Sequence, residues 1–188
     1  KNKKTMKTNQ IENQLIRLTS GFLSINRFFL FLLIFFPISI RIFSPSSDQY
    51  VILNRLLASI GGACLLCWLF AIAHKANHKL ASINLHLNIF RFFNWSVLVS
   101  VISFLLILFF STDVNTSSNN INIHYTTPII FPVIFSVSFL SVIIITAKTL
   151  VSAEQNKDAS FEEYFNAFIL LSFAVIGLWY IHPRAQNL

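Results

Sequence analysis

Apolar runs as long as a bilayer is thick recur along this chain, and nothing else in it limits the fold as severely. Pro128–Ala147 holds 20 residues without a charge. At 1.5 Å per residue, a helix of that length covers about 30 Å, the thickness of the hydrocarbon layer. Phe28–Phe43, Leu56–Ala73 and Phe92–Phe110 are runs of the same kind. A fifth, Phe161–Ile181, reaches span length once its amphipathic first turns are counted. Composition agrees. Only 11% of the 188 residues are charged and 55% are hydrophobic, whereas a soluble domain needs roughly 25% charged residues. The prediction is an all-α polytopic transmembrane helical bundle of about five spans. Residues 1–27 form a polar leader and residues 182–188 a short tail. The only Met is Met6, so translation is expected to start there, with Lys1–Thr5 ahead of it.

Local signals set the element boundaries. In the leader, Ile11, Leu15, Ile16, Leu18 and Phe22 recur near helical spacing and predict a short interfacial helix before Gly21. Ser44-Pro45-Ser46-Ser47 predicts a turn. Ala58, Ser59, Gly62 and Ala63 form small-xxx-small pairs, which let a neighbouring backbone approach closely. His74–Arg91 reads as a basic connection, and residues 111–127 as a polar loop. Thr127-Pro128 has the form of a helix start. Ser160-Phe161-Glu162-Glu163 matches a capping box, so the last helix is expected to begin near Phe161 and to stop before His182-Pro183.

Five spans place the two termini on opposite sides. From Met6 onward, eight Lys and Arg fall on the side of the N-terminus, in the leader, the 74–91 connection and the 148–166 hinge. Arg41, Arg55 and Arg184 fall on the other. The positive-inside rule then puts the N-terminus in the cytoplasm and the C-terminus outside. Trp68, Trp95 and Tyr164 are expected at the inner interface, and Tyr50, Tyr125, Trp179 and Tyr180 at the outer one. The net charge of +7 flanks apolar runs and forms no patch interleaved with base-stacking aromatics. Topology explains it, and nucleic acid is not an expected partner.

Candidate chemistry is sparse. His74 and His78 are one helical turn apart, a spacing that suits a metal. The multiple boxes and His-His pair of membrane di-iron hydroxylases are missing, however, and no carboxylate adjoins the pair. The competing reading of His74, His78 and His86 is a headgroup-facing basic segment. Cys64-x-x-Cys67 lies within an apolar run without a basic neighbour, so both thiols are expected to be inert. No Asp, Glu, Lys or Arg falls near the middle of a span, which disfavours an ion-coupled transporter. The polarity inside the spans is that of Ser100, Ser103, Ser136, Ser138, Ser141, Ser172 and Thr146, groups that usually bond their own or a neighbouring helix. Glu154, Asp158, Glu162 and Glu163 of the hinge, with Lys75 and Lys79, are the candidate contact surface. The competing reading makes two of the acids helix caps and leaves the others solvated.

The C-terminal third carries Ala147-Lys148, Glu154, Phe161-Glu162-Glu163-Tyr164 and Ile176-Gly177-Leu178-Trp179-Tyr180-Ile181-His182-Pro183-Arg184. This pattern resembles a group of bacterial integral membrane proteins, themselves uncharacterised, that end in an apolar helix and an IGxW…PR tail. The chain departs from them at Val175, where Pro is usual, and at His182, where Gln is usual. The resemblance implies a bacterial cytoplasmic membrane and brings no activity, cofactor or site with it. Taken together, the leading expectation is a non-catalytic membrane subunit or scaffold that acts through lipid or a partner membrane protein, with no cofactor. The alternative is a membrane enzyme or carrier for an apolar or uncharged substrate, with His74 and His78 at the inner interface.

Overall fold

The computed structural model describes residues 14, 17–43, 51–85, 87, 89–110, 115–117, 120–122 and 129–188. The leader ahead of Arg17 (apart from Gln14), the Ser44–Ser47 turn, His86, Tyr125 and the Thr127-Pro128 helix start lie outside the described residues. The fold is helical: α1 (Arg17–Leu23), α2 (Arg27–Phe43), α3 (Val51–Ser82), α4 (Ile89–Phe110), α5 (Ile130–Gln155), α6 (Phe161–Ser172) and α7 (Ala174–Gln186). Between α4 and α5 lie two three-residue antiparallel strands, β1 (Asn115–Ser117) and β2 (Asn120–Asn122), in the stretch expected to be loop.

Among the described residues, three helices are long and apolar enough to cross a membrane, through Ser59–Ser82, Ile89–Ile107 and Ile130–Gln155. A fourth span is formed if α1 and α2, bent by 89° at their junction, count together. This is a helical membrane protein. Its outward surface is what lipid requires: Phe28, Phe36, Phe92, Val133 and Val137 stand exposed, while Trp68, Leu69, Ile72, Phe93, Val142, Ile145 and Leu150 form the core. Lipid tails are as apolar as Leu, so close packing and interhelical hydrogen bonds hold such a bundle together. One of these bonds runs from the Ser100 hydroxyl of α4 to the Ser138 hydroxyl of α5, at 2.9 Å. It is the neighbouring-helix role expected of the intramembrane serines. The helix α5 is central and packs against α3, α4 and α6.

The second expected span proves longer. Residues 74–82, read as connection, continue α3 to Ser82, and the chain reverses at Asn84, whose φ of 60° is left-handed. At the other corner the Asn26 side chain accepts the Phe28 N–H at 2.9 Å and starts α2. The helix α5 ends at the left-handed Asn156, whose N–H bonds to the Ser152 carbonyl. The predicted capping box then opens α6, with the Ser160 N–H on the Glu163 carboxylate at 2.7 Å.

The expected single helix over 161–181 is broken at Phe173 into a helical hairpin of α6 and α7. At Phe173 the backbone turns to φ −94°, ψ 71°, which ends α6 after 12 residues. Gly177 then lies so close to the end of α6 that an added Cβ would stand 2.1 Å from the Leu170 carbonyl oxygen. Unbroken, the 26 residues from Phe161 to Gln186 would extend about 39 Å. Instead both ends meet the C-terminal end of α5. The Ala159 N–H bonds to the Ser152 hydroxyl at 3.0 Å, and the Arg184 guanidinium meets Glu154. Residues 182–186, expected as tail, are the last turns of α7, and Pro183 lies inside it. The C-terminus therefore returns to the end of the bundle that carries the 148–166 hinge. Trp179, expected at the opposite interface, lies beneath the Arg27 guanidinium, 5.2 Å from its ring centre.

Two outcomes follow from the hairpin. With both native cysteines replaced, single cysteines at Asn156 and Asn187 should react with a membrane-impermeant maleimide from the same side. Labelling from opposite sides would refute the hairpin. Gly177→Ala should destabilise the protein by about 1–3 kcal/mol, the usual cost of overpacking, read as a lowered thermal midpoint in detergent.

Candidate functional site

The hinge acids turn inward to pair within the chain. Glu154 takes both prongs of Arg184, at 2.8 and 2.5 Å. Asp158 pairs with Lys148 at 3.0 Å. Glu163 caps α6 and also accepts from Lys157. That ammonium bond, seconded by the Ser160 N–H, holds the Glu163 carboxyl below the usual carboxylate range. Lys75 donates to the Gln186 carbonyl at 2.8 Å. Of the candidate contact residues, Glu162 stays exposed in the first turn of α6, and Lys79 is half-buried in the last turn of α3. The group predicted as a docking surface is thus largely a clasp that closes the hairpin on α3 and α5.

Behind the clasp lies a polar site that sequence reasoning placed elsewhere. His182 is buried, with 1% of its surface exposed, and so is Trp68, expected at the lipid interface. The Trp68 indole N–H reaches His182 Nδ1 at 3.2 Å, and Nε2 lies 2.9 Å from the Ile25 carbonyl. An indole N–H only donates, so Nδ1 must accept; Nε2 then carries the proton and donates to Ile25. The ring is satisfied only when neutral. Burial accordingly holds its pKa below the ordinary histidine value. Gln186, one turn later, donates to the Leu23 carbonyl at 2.6 Å. One face of α7 thus pins α3 and the α1–α2 corner together. The only advance signal was a His and a Gln four residues apart after an apolar run.

The metal candidates separate. The His74 ring packs between Phe70 and Phe90, with centroids 5.8 and 6.3 Å away, while His78 is exposed one turn on. Among the described residues, no three His, Cys, Asp or Glu side chains gather as metal ligands would.

What the bundle does present is a cavity of about 700 Å³ between α3 and α4, roofed by Leu18, Thr19 and Phe22 of α1. Its cause is legible in the chain. The two helices meet at the Phe70–Phe93 stack, 6.0 Å between centroids, and again where the Phe104 ring lies on Gly62. Between these contacts α3 turns the short side chains of Ser59, Ala63 and Cys67 toward Val97 and Val101. The small residues expected to draw two backbones together therefore leave a void, and only Gly62 is closely covered. Cys67 lines the cavity and is exposed. Apart from the Cys67 thiol and the hydroxyls of Thr19 and Ser59 the lining is apolar, with no carboxylate, histidine or cation, so the arrangement can bind an apolar molecule.

Comparison with protein families, with curated proteins and with solved structures finds no match to this chain.

The tautomer argument predicts an acid-sensitive fold. A histidine kept neutral by folding contributes stability that is complete above its unfolded pKa, about 6.5. As pH falls below that value toward the folded pKa, the unfolded chain binds more protons and the contribution is lost. Thermal midpoints in detergent should therefore drop between pH 7 and pH 5, and the drop should shrink in His182→Gln. A double-mutant cycle on Glu154→Gln and Arg184→Gln should give a coupling of about 1 kcal/mol, as partly exposed pairs do.

Proposed function

We propose that this protein is a non-catalytic subunit or scaffold of a bacterial cytoplasmic membrane, acting through contacts with lipid and with a partner membrane protein. One observation carries the reading. The cavity between α3 and α4 is lined mainly by apolar side chains and holds no carboxylate, histidine or cation, while most hinge charges are spent on internal pairs. Such a molecule is equipped to hold and to be held. The bacterial membrane is what the IGxW…PR resemblance implies. Orientation draws support from the hairpin: moving Arg184 to the hinge end makes the Lys and Arg balance nine against two, with only Arg41 and Arg55 opposite. The positive-inside rule then favours both termini in the cytoplasm.

A second reading keeps the cavity and makes it a substrate site of an enzyme or carrier. It draws on His74, whose ring stacks on the cavity-lining Phe70.

A native mass spectrum of the protein extracted from its own membranes in mild detergent separates the two. The expected result is a second polypeptide at fixed stoichiometry, unchanged when His74 and His78 are both replaced by Ala. A lone monomer that holds a metal, and loses it in the double variant, would overturn the proposal.

A further inference from the structure

The apolar cavity does not end at its own walls. Phe70, Val97 and Val101 also line a shallower depression, to which Asn94, Leu98 and Ile102 contribute. Asn94 and Leu98 in turn line a third, with Arg91 and Trp95. One groove therefore follows α4 from Leu105 to Arg91, apolar at depth and polar, aromatic and cationic at its mouth.

We infer that this groove holds one membrane phospholipid, with an acyl chain between α3 and α4 and an anionic phosphate headgroup at Arg91. The inference rests on the non-catalytic reading, for which it names the ligand. The dimensions select this occupant. Asn94 to Leu105 is 11 residues of helix, about 16 Å at 1.5 Å per residue, against about 15 Å for half of a 30 Å hydrocarbon core. The groove is one leaflet deep. A transmembrane helix of a partner would need a track across the whole layer, and Phe104, seated on Gly62, closes this one partway. Charge selects the headgroup. Arg91 is exposed one turn above Asn94, and Trp95 beside it is an interfacial anchor. No carboxylate lines any of the three depressions. A fork of guanidinium donors suits phosphate oxygens.

The test uses the full chain in nanodiscs containing equal amounts of phosphatidylglycerol and phosphatidylcholine, with retained lipid read by native mass spectrometry. One retained lipid per protein is expected, enriched in phosphatidylglycerol. Arg91→Ala should reduce that enrichment about fivefold, since a basic residue near a membrane surface is worth about 1 kcal/mol. Ala63→Phe fills the apolar part and should abolish retention of both lipids. Val137→Phe, on the lipid-facing side of α5, should alter neither, which controls for the added ring. Retention that is indifferent to headgroup, or unaffected by Ala63→Phe in a variant with wild-type helix content, would overturn the lipid site. So would occupation of the groove by a second copy or a partner helix, seen as protein–protein cross-links from Cys67. Mass loss from the bound lipid is a separate outcome: it would refute the non-catalytic reading and leave the site standing.

Discussion

The fold depends on a neutral imidazole. His182 accepts a hydrogen bond from the Trp68 indole N–H on one nitrogen and donates one to the Ile25 carbonyl from the other. In that way three segments distant in sequence are joined by two hydrogen bonds that only one tautomer satisfies. Buried polar groups of this kind are costly when half paired and specific when fully paired. Here they fix how α7 lies along α3 and where the α1–α2 corner meets it. The outer contacts, the Arg184–Glu154 ion pair and the Lys75 hydrogen bond to the Gln186 carbonyl, close over the same seam near the end of the bundle. They are partly exposed and individually weak. The inner pair decides the arrangement, and the outer ones hold it shut.

Away from that seam the chain follows a simpler rule. Its helices expose Phe, Leu, Ile and Val to lipid at little cost, and reserve small residues and hydroxyls for one another. The cavity between α3 and α4 is a by-product of this rule applied unevenly. Short side chains at Ser59, Ala63 and Cys67 save space that only Phe104, over Gly62, takes up.

How much of this was legible depended on whether a signal was local. The runs of α3, α4 and α5 could be read from length and hydropathy, because crossing a bilayer requires both. The capping box at Ser160–Glu163 could be read because its partners are three residues apart. The hairpin could not. Phe161–Ile181 has the length and composition of a span, and its break rests on one torsion at Phe173 and on Gly177 facing Leu170. Pro183 reads as a stop, yet α7 continues past it to Gln186. Without the return of the chain, His182 reads as tail, Trp68 as an interfacial residue, and Arg184 as remote from Glu154. The hinge acids stand out as a group in the sequence, but pairing across 30 residues leaves no periodic trace, so a partner such as Arg184 for Glu154 is invisible there.

A hairpin that enters and leaves by one face has a consequence for how the protein is made. Had Phe161–Ile181 crossed the bilayer, Arg184 would have had to pass through hydrocarbon, where a basic side chain at mid-depth costs about 2.5–3.5 kcal/mol on insertion scales. Folded back at Phe173, the segment needs no such transfer. Its charges, Glu162, Glu163 and Arg184, all lie at the hinge end, and the turn far from them is built mostly of apolar side chains.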